Sequence, residues 1–408
     1  MGKKQRAKEA MLRDRIQGGL LGVAAGDCLG SLVEFKSRES VRKEYPNGVR
    51  EIIGGGPFNW RIGQGTDDSD MTAAVLRSYV SPERYSIKGV ADNFAKWKQG
   101  GPRDIGGTTS GGISSYIASG NPLTSGRTDD YSAANGSLMR CIPTGLLVDD
   151  KSERAIHAAQ ISGVTHGEPR AVDSCIAYCD MVNRMIHGDT PEQSINWVLD
   201  NRSLDPRVEE VLRTTPDKDL DELDGSGYVL GSLGVAVWAA TRDPDQSVED
   251  ILAQTISLGQ DTDTHGAIAG GLLGASRGAS ALPERWVDVL EYGDEFQEAV
   301  PEIMDIREDN KPKGFLSRIF PNKKEPTLIT QVLAISNQDS QFCESPTKSS
   351  DGTFTGPPCR KHVSIGAKTC GEVGHLIPAS RWSGQIPGHQ GSILIEPSTI
   401  DAGSLFSK

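Results

Sequence analysis

The chain has 408 residues, 36% of them hydrophobic and 24% charged, which is enough for one or more domains with a sizeable core. Its formal net charge of −12 argues against a nucleic-acid partner by default, because phosphate backbones are usually met by a basic surface. No apolar stretch reaches the roughly 18–20 residues that a membrane span needs, and none follows the charged N-terminus as a signal peptide would require. We therefore expect a soluble, cytoplasmic protein.

Helical periodicity runs through most of the first 310 residues. It predicts helices over residues 7–32, 72–79, 152–162, 170–186, 195–199, 228–240, 248–258 and 263–274. Ser152 and Ser247 suit helix N-caps, and Pro191 suits the opening of a helix. Segment 228–240 is apolar on nearly all sides and is expected to be central. Strand patterns are scarce, with 49–53 the best candidate, so residues 1–310 are predicted to form one all-α domain.

The composition changes at about residue 311. Residues 311–327 are basic and punctuated by proline, which is typical of a linker. Residues 328–408 are rich in Gly, Pro, Ser and Thr, and 328–335 is the one β-like run before the Ser/Thr/Pro-rich part. We predict a C-terminal extension that is either disordered or a small irregular module, and its role stays open.

A first acidic loop lies between Gly63 and Met71. It contains Thr66, Asp67, Asp68, Ser69 and Asp70, and this density of carboxylates is unfavourable unless cations lie between them. Hard oxygen ligands of this kind suit Mg²⁺ or Mn²⁺. The alternative is a plain N-capping cluster, because Thr and Asp at a helix start satisfy free amides.

A second acidic loop repeats this pattern far along the chain. Asp261, Thr262, Asp263 and Thr264 again stand at the entrance of a helix. Brought together in a helical bundle, the two loops would supply a two-metal centre that holds substrate oxygens and activates water. Alternate residues of the loop point in different directions, so Asp261, Asp263 and Thr264 are better ligand candidates than Thr262.

Four further features each admit two interpretations. Glu34 ends an apolar, Gly-rich helix, where it is either a buried functional carboxylate or an exposed helix end. The turn 135–140 and the helix start after it form either a phosphate cradle or an ordinary turn. His166 either caps a helix or contacts a ligand. Asp104, in a flexible polar loop over 101–109, either recognises a cation or is solvated.

Other chemistries find little support. The seven cysteines are scattered and odd in number, which suggests reduced thiols. Cys175 and Cys179 have no matching His/Cys pair nearby, and the Cys and His residues of the C-terminal part are irregularly spaced, so zinc is not predicted. The sequence contains neither the Gly-x-Ser-x-Gly elbow of serine hydrolases nor the Gly-Lys-Ser/Thr of a phosphate-binding loop.

Together these motifs resemble the ADP-ribosylglycohydrolase family, which includes the dinitrogenase reductase-activating glycohydrolase and ADP-ribosylarginine hydrolases. The matching segments occur in the family's order over roughly residues 13–300: 19–34, 66–68, 104–106, 135–140, 165–166 and 259–264. The resemblance implies an all-α, compact orthogonal helical bundle around a binuclear centre of two Mg²⁺ or Mn²⁺ ions. His265 stands where an apolar residue is more typical.

The resemblance also implies roles for individual residues. The implied metal ligands are Thr66, Asp67, Asp68, Asp261, Asp263 and Thr264. The implied catalytic residues are Glu34, Asp68 and Asp104, with Asp104 recognising the leaving group. The implied substrate-binding residues are Asp104, Gly106, Asn135, Gly136, Ser137 and His166.

The implied reaction is hydrolysis of the bond between C1″ of ADP-ribose and an acceptor, with arginine on a protein the preferred acceptor. The expected partner is therefore an ADP-ribosylated protein or a small ADP-ribose substrate. Two alternatives remain: a hydrolase of serine-linked ADP-ribose or of free ADP-ribose derivatives, and an inert member that binds ADP-ribose. Nothing in the sequence sets the oligomeric state.

Overall fold

The computed structural model describes residues 2–309, together with the backbone of four short segments at 341–342, 346–348, 354–358 and 362–363. The chain divides into two units, Met1–Lys311 and Pro312–Lys408. In the described part of the first unit, α-helices are joined by loops and short 3₁₀ turns. The helices are α1 (Lys3–Gly30), α2 (Arg38–Glu44), α3 (Asp67–Val80), α4 (Ile87–Gln99), α5 (Gly107–Ser119), α6 (Ile142–Leu147), α7 (Lys151–Gly163), α8 (Pro169–Ile186), α9 (Pro191–Asn201), α10 (Pro206–Thr214), α11 (Val229–Ala240), α12 (Val248–Ile256), α13 (Thr262–Arg277), α14 (Glu284–Val287) and α15 (Gly293–Asp309).

The described backbone of the second unit forms two short antiparallel pairs. The strands are β1 (Gln341–Phe342), β2 (Pro346–Lys348), β3 (Phe354–Pro358) and β4 (His362–Val363), with β1 paired to β4 and β2 to β3. The predicted linker over 311–327 and the β-like run at 328–335 lie outside the described residues. The proposed division of this part into a linker and an extension therefore stays a prediction.

The predicted all-α fold is confirmed, and local signals locate several helix ends well. Pro191 is the first residue of α9, and Thr190 before it caps the helix. Ser247 caps α12 as predicted, because its hydroxyl accepts the amide hydrogen of Asp250 at 3.0 Å. The segment expected to be central forms α11, which is almost wholly buried against α8 and α13. Among the described helices, none is long and apolar enough to cross a membrane.

Two local predictions are wrong. Asp150, rather than Ser152, caps α7, and its carboxylate accepts the amide hydrogen of Ser152 itself at 2.9 Å. Residues 49–53 form no strand, because the carbonyl oxygen of Arg50 instead accepts from the indole Nε1–H of Trp286 at 2.7 Å. A side chain from far along the sequence thus satisfies a backbone carbonyl of this segment.

Helices α1 and α13 pack antiparallel with their backbones in direct contact. The facing pairs are Gly18 with Gly274, Gly22 with Gly270, Gly26 with Gly266, and Gly30 with Thr262. A Cβ on Gly26 would overlap the carbonyl oxygen of Gly266, so the approach requires residues without a side chain. The crowding predicted for the small-residue segment 263–274 is confirmed. Because the helices run in opposite directions, the C-terminal end of α1 lies beside the N-terminal end of α13.

Candidate active site

Two residues with left-handed backbone conformations hold the end of α1 against the start of α13. Phe35 and Gln260 each have a φ of 64°. The amide of Phe35 donates to the carbonyl of Gln260 at 2.7 Å, and the amide of Gln260 donates to the carbonyl of Lys36 at 2.7 Å. Such conformations cost roughly 1–3 kcal/mol each and cluster at functional sites. These bonds keep Glu34 and Asp261 close enough for their charges to interact.

A carboxylate from inside α1 fixes the first acidic loop. Asp27 is fully buried, and its Oδ2 accepts from the amides of Thr66 at 2.9 Å and Ser69 at 3.2 Å. Thr66 in turn caps α3 through a 3.3 Å bond from the amide of Asp68. The capping role considered for this loop is therefore real, and it coexists with the acidic cluster. Asp27 is not among the predicted site residues, although a lone carboxylate in an apolar stretch of α1 was the available signal.

The two acidic loops meet at Asp68. Its Oδ2 accepts from the hydroxyl of Thr66 at 3.2 Å and from the hydroxyl of Thr264 at 3.3 Å. Thr264 lies 196 residues further along the chain, at the start of α13. The structure thus brings together the two loops that the sequence pattern paired.

A second group of oxygens lies beside this junction. One carboxylate oxygen each from Glu34, Asp104 and Asp263 lies within 4.8 Å of the other two. Glu34 is 5% exposed, so the interpretation of this residue as an exposed helix end is wrong. Asp104 is half-buried and is the most accessible of the three. The arrangement places the predicted ligand Asp263 next to two of the three predicted catalytic residues, Glu34 and Asp104.

Asp70 belongs to the first acidic loop but faces another part of the fold. Its Oδ2 accepts from the indole of Trp97 at 2.8 Å, and its Oδ1 accepts from the hydroxyl of Tyr292 at 2.6 Å. Both oxygens are therefore engaged in bonds that join α3 to α4 and to the residues before α15. The sequence does not separate this structural carboxylate from its neighbours.

The charges at the site are of one sign. Seven carboxylates gather here: Asp27, Glu34, Asp67, Asp68, Asp104, Asp261 and Asp263. Burial raises the pKa of Glu34 to about 8, and the charges of nearby carboxylates add to this effect. The pKa values of Asp67, Asp68 and Asp263 are raised well above their usual range for the same two reasons. In the described residues, the neighbouring charges that contribute most to these four shifts are carboxylates.

Three oxygens of this cluster have no hydrogen-bond donor. Asp27 Oδ1, Glu34 Oε2 and Asp68 Oδ1 are buried and unpartnered among the described residues. Leaving a buried carboxylate oxygen without a partner is costly. A donor set made only of carboxylate and hydroxyl oxygens is the kind that Mg²⁺ and Mn²⁺ prefer. The residues present therefore fit a site for divalent cations.

Without divalent cations, the protein is expected to lose stability as the pH rises from about 4 to about 8. The pKa of Glu34 is raised from 4.5 to about 8 and that of Asp27 from 3.8 to about 6, in both cases first by burial. The folded state then retains protons that the unfolded state has released. The resulting stabilisation is complete below the unfolded-state pKa values and is lost as the pH passes the folded-state values.

Thermal unfolding in EDTA at a series of pH values measures this effect. The Tm should fall across the window, and added Mg²⁺ should raise it more at about pH 8 than at about pH 5. A Tm in EDTA that climbs through the window would contradict the electrostatic description of the site.

The turn 135–140 reaches the second acidic loop through Asn135. Its Nδ2 donates to Asp261 Oδ2 at 2.6 Å and to Ser232 Oγ at 2.8 Å. Ser137 faces the other way: it is fully buried, and its hydroxyl accepts from that of Ser162 at 2.9 Å. Helix α6 begins at residue 142, slightly after this turn. Of these two predicted substrate-binding side chains, Asn135 is the one directed to the acidic site.

The polar loop that contains Asp104 is shorter than predicted. Helix α5 begins at Gly107, so the predicted loop over 101–109 is wrong in its last three residues. Gly106 is the N-cap residue of α5 and is exposed. Burial raises the pKa of Asp104, and the charge of Asp261 adds to this shift.

His166 is fully buried next to the turn and does not cap α7 with its side chain. Its Nδ1 lies 2.6 Å from the hydroxyl of Thr165, and its Nε2 has no partner among the described residues. A Cβ added to Gly136 would lie 3.3 Å from Nε2. Burial lowers the pKa of His166 well below its usual value, and the charge of Arg140 lowers it further. The imidazole is therefore neutral.

His265 lies beside the predicted ligand Thr264 and is also fully buried. Both of its ring nitrogens lack a partner within hydrogen-bonding geometry in the described part of the chain. Burial lowers its pKa, while the carboxylates of Asp261 and Asp224 and the nearby backbone of Ser226 act in the opposite direction. Nothing in the structure explains the choice of histidine here.

Comparison with known proteins agrees with the fold. Residues 8–313 match the ADP-ribosylglycohydrolase family. The chain belongs to this family. The predicted family is thus confirmed, and so is the predicted enzyme class, a glycohydrolase acting on ADP-ribosyl groups.

Relatives of this family member include proteins with different named activities. The chain is 29% identical to "ADP-ribosylarginine hydrolase Tri1" of Pseudomonas putida, covering 72% of this chain and 78% of that protein. It is also 29% identical to the "ADP-ribosyl-[dinitrogen reductase] glycohydrolase" of Rhodospirillum rubrum, covering 69% and 91%. With "ADP-ribosylhydrolase ARH3" of Bos taurus it shares 23% identity, covering 67% and 87%. A solved structure described as "ADP-ribosylglycohydrolase-related protein complex" aligns with a TM-score of 0.64 at 27% identity, over 73% of this chain and 99% of that one.

Proposed function

We propose that this protein is a divalent-metal-dependent hydrolase that releases ADP-ribose from arginine side chains of modified proteins. The observation that carries the proposal is the buried cluster of carboxylates, three of whose oxygens have no donor among the described residues. The arginine linkage is supported by the relatives from Pseudomonas putida and Serratia proteamaculans, each 29% identical and each named an ADP-ribosylarginine hydrolase.

Two Mg²⁺ or Mn²⁺ ions would be held by oxygens from both acidic loops. The proposed ligands are Thr66, Asp67, Asp68, Asp261, Asp263 and Thr264. Their donor set is hard oxygen throughout, and the hydroxyl of Thr264 already links the two loops by donating to Asp68. When bound, the ions would neutralise the clustered charge, fix ribose hydroxyls and lower the pKa of a nearby water.

Residues around the cluster would perform the remaining tasks. Water forms a bond to C1″ of the ribose as the bond from C1″ to the guanidine nitrogen breaks, and that nitrogen leaves with the electron pair and takes up a proton. Glu34, whose Oε2 is buried and unpartnered, is placed to accept the proton that the water loses, and Asp68 is the second candidate for this task. Asn135 and the turn that follows it would hold the ADP-ribosyl group, with Gly106, Gly136, Ser137 and His166 as its other neighbours.

The acceptor side of the site favours a cation. Oxygens of Asp104, Glu34 and Asp263 lie within 4.8 Å of one another, and Asp104 is the most accessible of these three residues. A guanidinium presents a planar fork of donors that pairs well with carboxylates. A serine linkage offers no such charge, so a carboxylate at this position would contribute less to binding. We therefore place the modified arginine against Asp104.

The function is tested by incubating the full-length protein with arginine-linked and serine-linked ADP-ribosylated proteins, with Mg²⁺, Mn²⁺ or EDTA. Release of ADP-ribose from arginine with either metal, and its loss in EDTA, is the expected result. Preferential release from serine would move the protein to the alternative substrate class. Metal-independent release would refute the metal centre, and binding of ADP-ribose without any release would identify an inert member.

A further inference from the structure

A fully buried arginine stands behind the turn that borders the site. Arg140 is completely buried, and burial lowers its pKa to about 10, so it remains charged at neutral pH. Its Nη1 donates to the carbonyl of Gly136 at 3.0 Å, and its Nη2 donates to the hydroxyl of Thr165 at 2.6 Å. The guanidinium also lies over the ring of Phe94, with Cζ 4.4 Å from the ring centroid. Within the described structure it forms no close ion pair, which is unusual for a buried cation, although the charge of Asp67 acts on it.

The bonds from Arg140 determine where the proton of His166 lies. A guanidinium can only donate, so the hydroxyl oxygen of Thr165 accepts from Arg140 and its own proton remains available. The other contact of this oxygen is Nδ1 of His166, at 2.6 Å. If Nδ1 carried a proton, that proton and the hydroxyl proton would compete, because the Thr165 hydroxyl has no other hydrogen-bond partner among the described residues. The hydroxyl therefore donates to Nδ1, and the neutral imidazole carries its proton on Nε2.

The Nε2–H group of His166 lies beside Gly136. Nε2 is buried and has no partner among the described residues. A Cβ on Gly136 would lie 3.3 Å from Nε2 and 2.7 Å from the hydroxyl oxygen of Thr109, so the glycine leaves room between these two groups. The space over Gly136 is thus bordered by an unused N–H donor and a hydroxyl, with the positive charge of Arg140 behind them.

We propose that Arg140 and Thr165 are positioning residues that hold His166 as its Nε2–H tautomer, so that it donates a hydrogen bond to an oxygen of the bound ligand over Gly136. The charge of Arg140 favours an anionic phosphate oxygen at that point. The proposal rests on the proposed function in one respect: the ligand that supplies the phosphate is the ADP-ribosyl group. It assigns to Arg140 a role in ligand binding although Arg140 itself does not reach the ligand.

The tautomer is measured by ¹⁵N NMR of the full-length protein with labelled histidine, using His166→Gln to assign the signal. The expected spectrum shows a protonated Nε2 and an unprotonated Nδ1 for His166. In Thr165→Val, which keeps the side-chain shape but removes the hydroxyl, Nδ1 should become at least partly protonated. A wild-type His166 protonated on Nδ1 would overturn the proposal.

Binding of free ADP-ribose, measured by calorimetry, supplies a second readout. Thr165→Val and Arg140→Lys should each weaken binding by about 10-fold or more, the usual loss when a hydrogen bond to a charged group is removed. His166→Gln places its amide nitrogen near the position of Nε2 and should keep most of the affinity, whereas His166→Asn places it near Nδ1 and should not. Adding Thr165→Val to His166→Gln should weaken ADP-ribose binding no further than His166→Gln alone, because glutamine has no tautomer that Thr165 could select.

The results separate this inference from the proposed function. Unchanged ADP-ribose affinity in Thr165→Val, or equal affinity of His166→Gln and His166→Asn, refutes the inference while hydrolysis by the wild type still supports the function. The predicted tautomer and binding pattern in a protein that releases no ADP-ribose supports the inference and refutes the hydrolase. A wild type that does not bind ADP-ribose overturns both. If Thr165→Val fails to fold, the wild-type spectrum and the two His166 variants still decide the matter.

Discussion

Replacing Gly26 with alanine is expected to destabilise the protein by at least about 3 kcal/mol, at the upper end of the usual cost of overpacking. A Cβ at this position would overlap the carbonyl oxygen of Gly266 across the contact between α1 and α13. The obstacle is backbone, which cannot rotate away as a side chain can. Because the contact between these helices brings Glu34, just after α1, and Asp263, in α13, into one site, any protein that still folds should also lose activity.

The matched control is Gly19→Ala in the same helix. Its Cβ would meet the end of the Leu146 side chain, with Cδ2 at 3.2 Å, and this atom is able to shift. Both substitutions gain the same helix propensity, about 1 kcal/mol in favour of alanine. The difference between the free energies of unfolding of the two variants, measured with denaturant, gives the cost of disturbing the backbone contact between α1 and α13. Equal stability of the Gly26→Ala and Gly19→Ala proteins would show that the helices can separate at little cost.

Replacing Asp263 with alanine is expected to reduce turnover by more than the about 10- to 100-fold typical of residues that only support a metal ligand. An oxygen of Asp263 lies within 4.8 Å of oxygens of Glu34 and Asp104. Of these three residues, Asp263 is the one that is also a proposed metal ligand. Removing the Asp263 carboxylate should also relieve repulsion from Asp68 and Asp261. Burial is the main cause of its raised pKa, and the charges of these two residues raise it further. The variant should therefore have a higher Tm than the wild type in EDTA, yet gain little from added Mg²⁺.

Asp70→Asn is the control for this substitution. Asp70 lies in the first acidic loop, but its oxygens accept from Trp97 and Tyr292. We expect the variant to keep nearly normal turnover and metal-dependent stabilisation, with at most a modest loss of stability, because an amide retains one acceptor. Activity and Tm with and without Mg²⁺ are measured on both variants. Wild-type turnover in Asp263→Ala would show that the ligand assignment is wrong.

Local chemistry accounts for what the sequence predicted well. Helix periodicity, the proline at the start of α9 and the serine cap of α12 act within a few residues, so they can be identified without knowledge of the fold. The density of carboxylates in the two acidic loops is also a local property. Repulsion within each loop, together with its repetition, indicated a cation site before any geometry was known.

The misassigned strand and the omission of Asp27 have a common cause in distant contacts. Segment 49–53 has strand-like residues, yet the indole of Trp286 occupies the carbonyl of Arg50. Asp27 lies in an apolar helix and gains its role only when Thr66 and Ser69 are brought against it. The residue pattern of neither segment indicates which distant residues it will contact.

The sequence by itself therefore determined the all-α class and the family, and it supplied most of the residues proposed for the site. The tertiary structure decided which of those residues converge. It joined Asp68 to Thr264 across 196 residues, and it directed Asp70, two positions from Asp68, to Trp97 and Tyr292 instead. The physical reason is that composition and spacing fix the chemistry available to a loop. Backbone packing, such as the glycine contact between α1 and α13, fixes which oxygens share the same space.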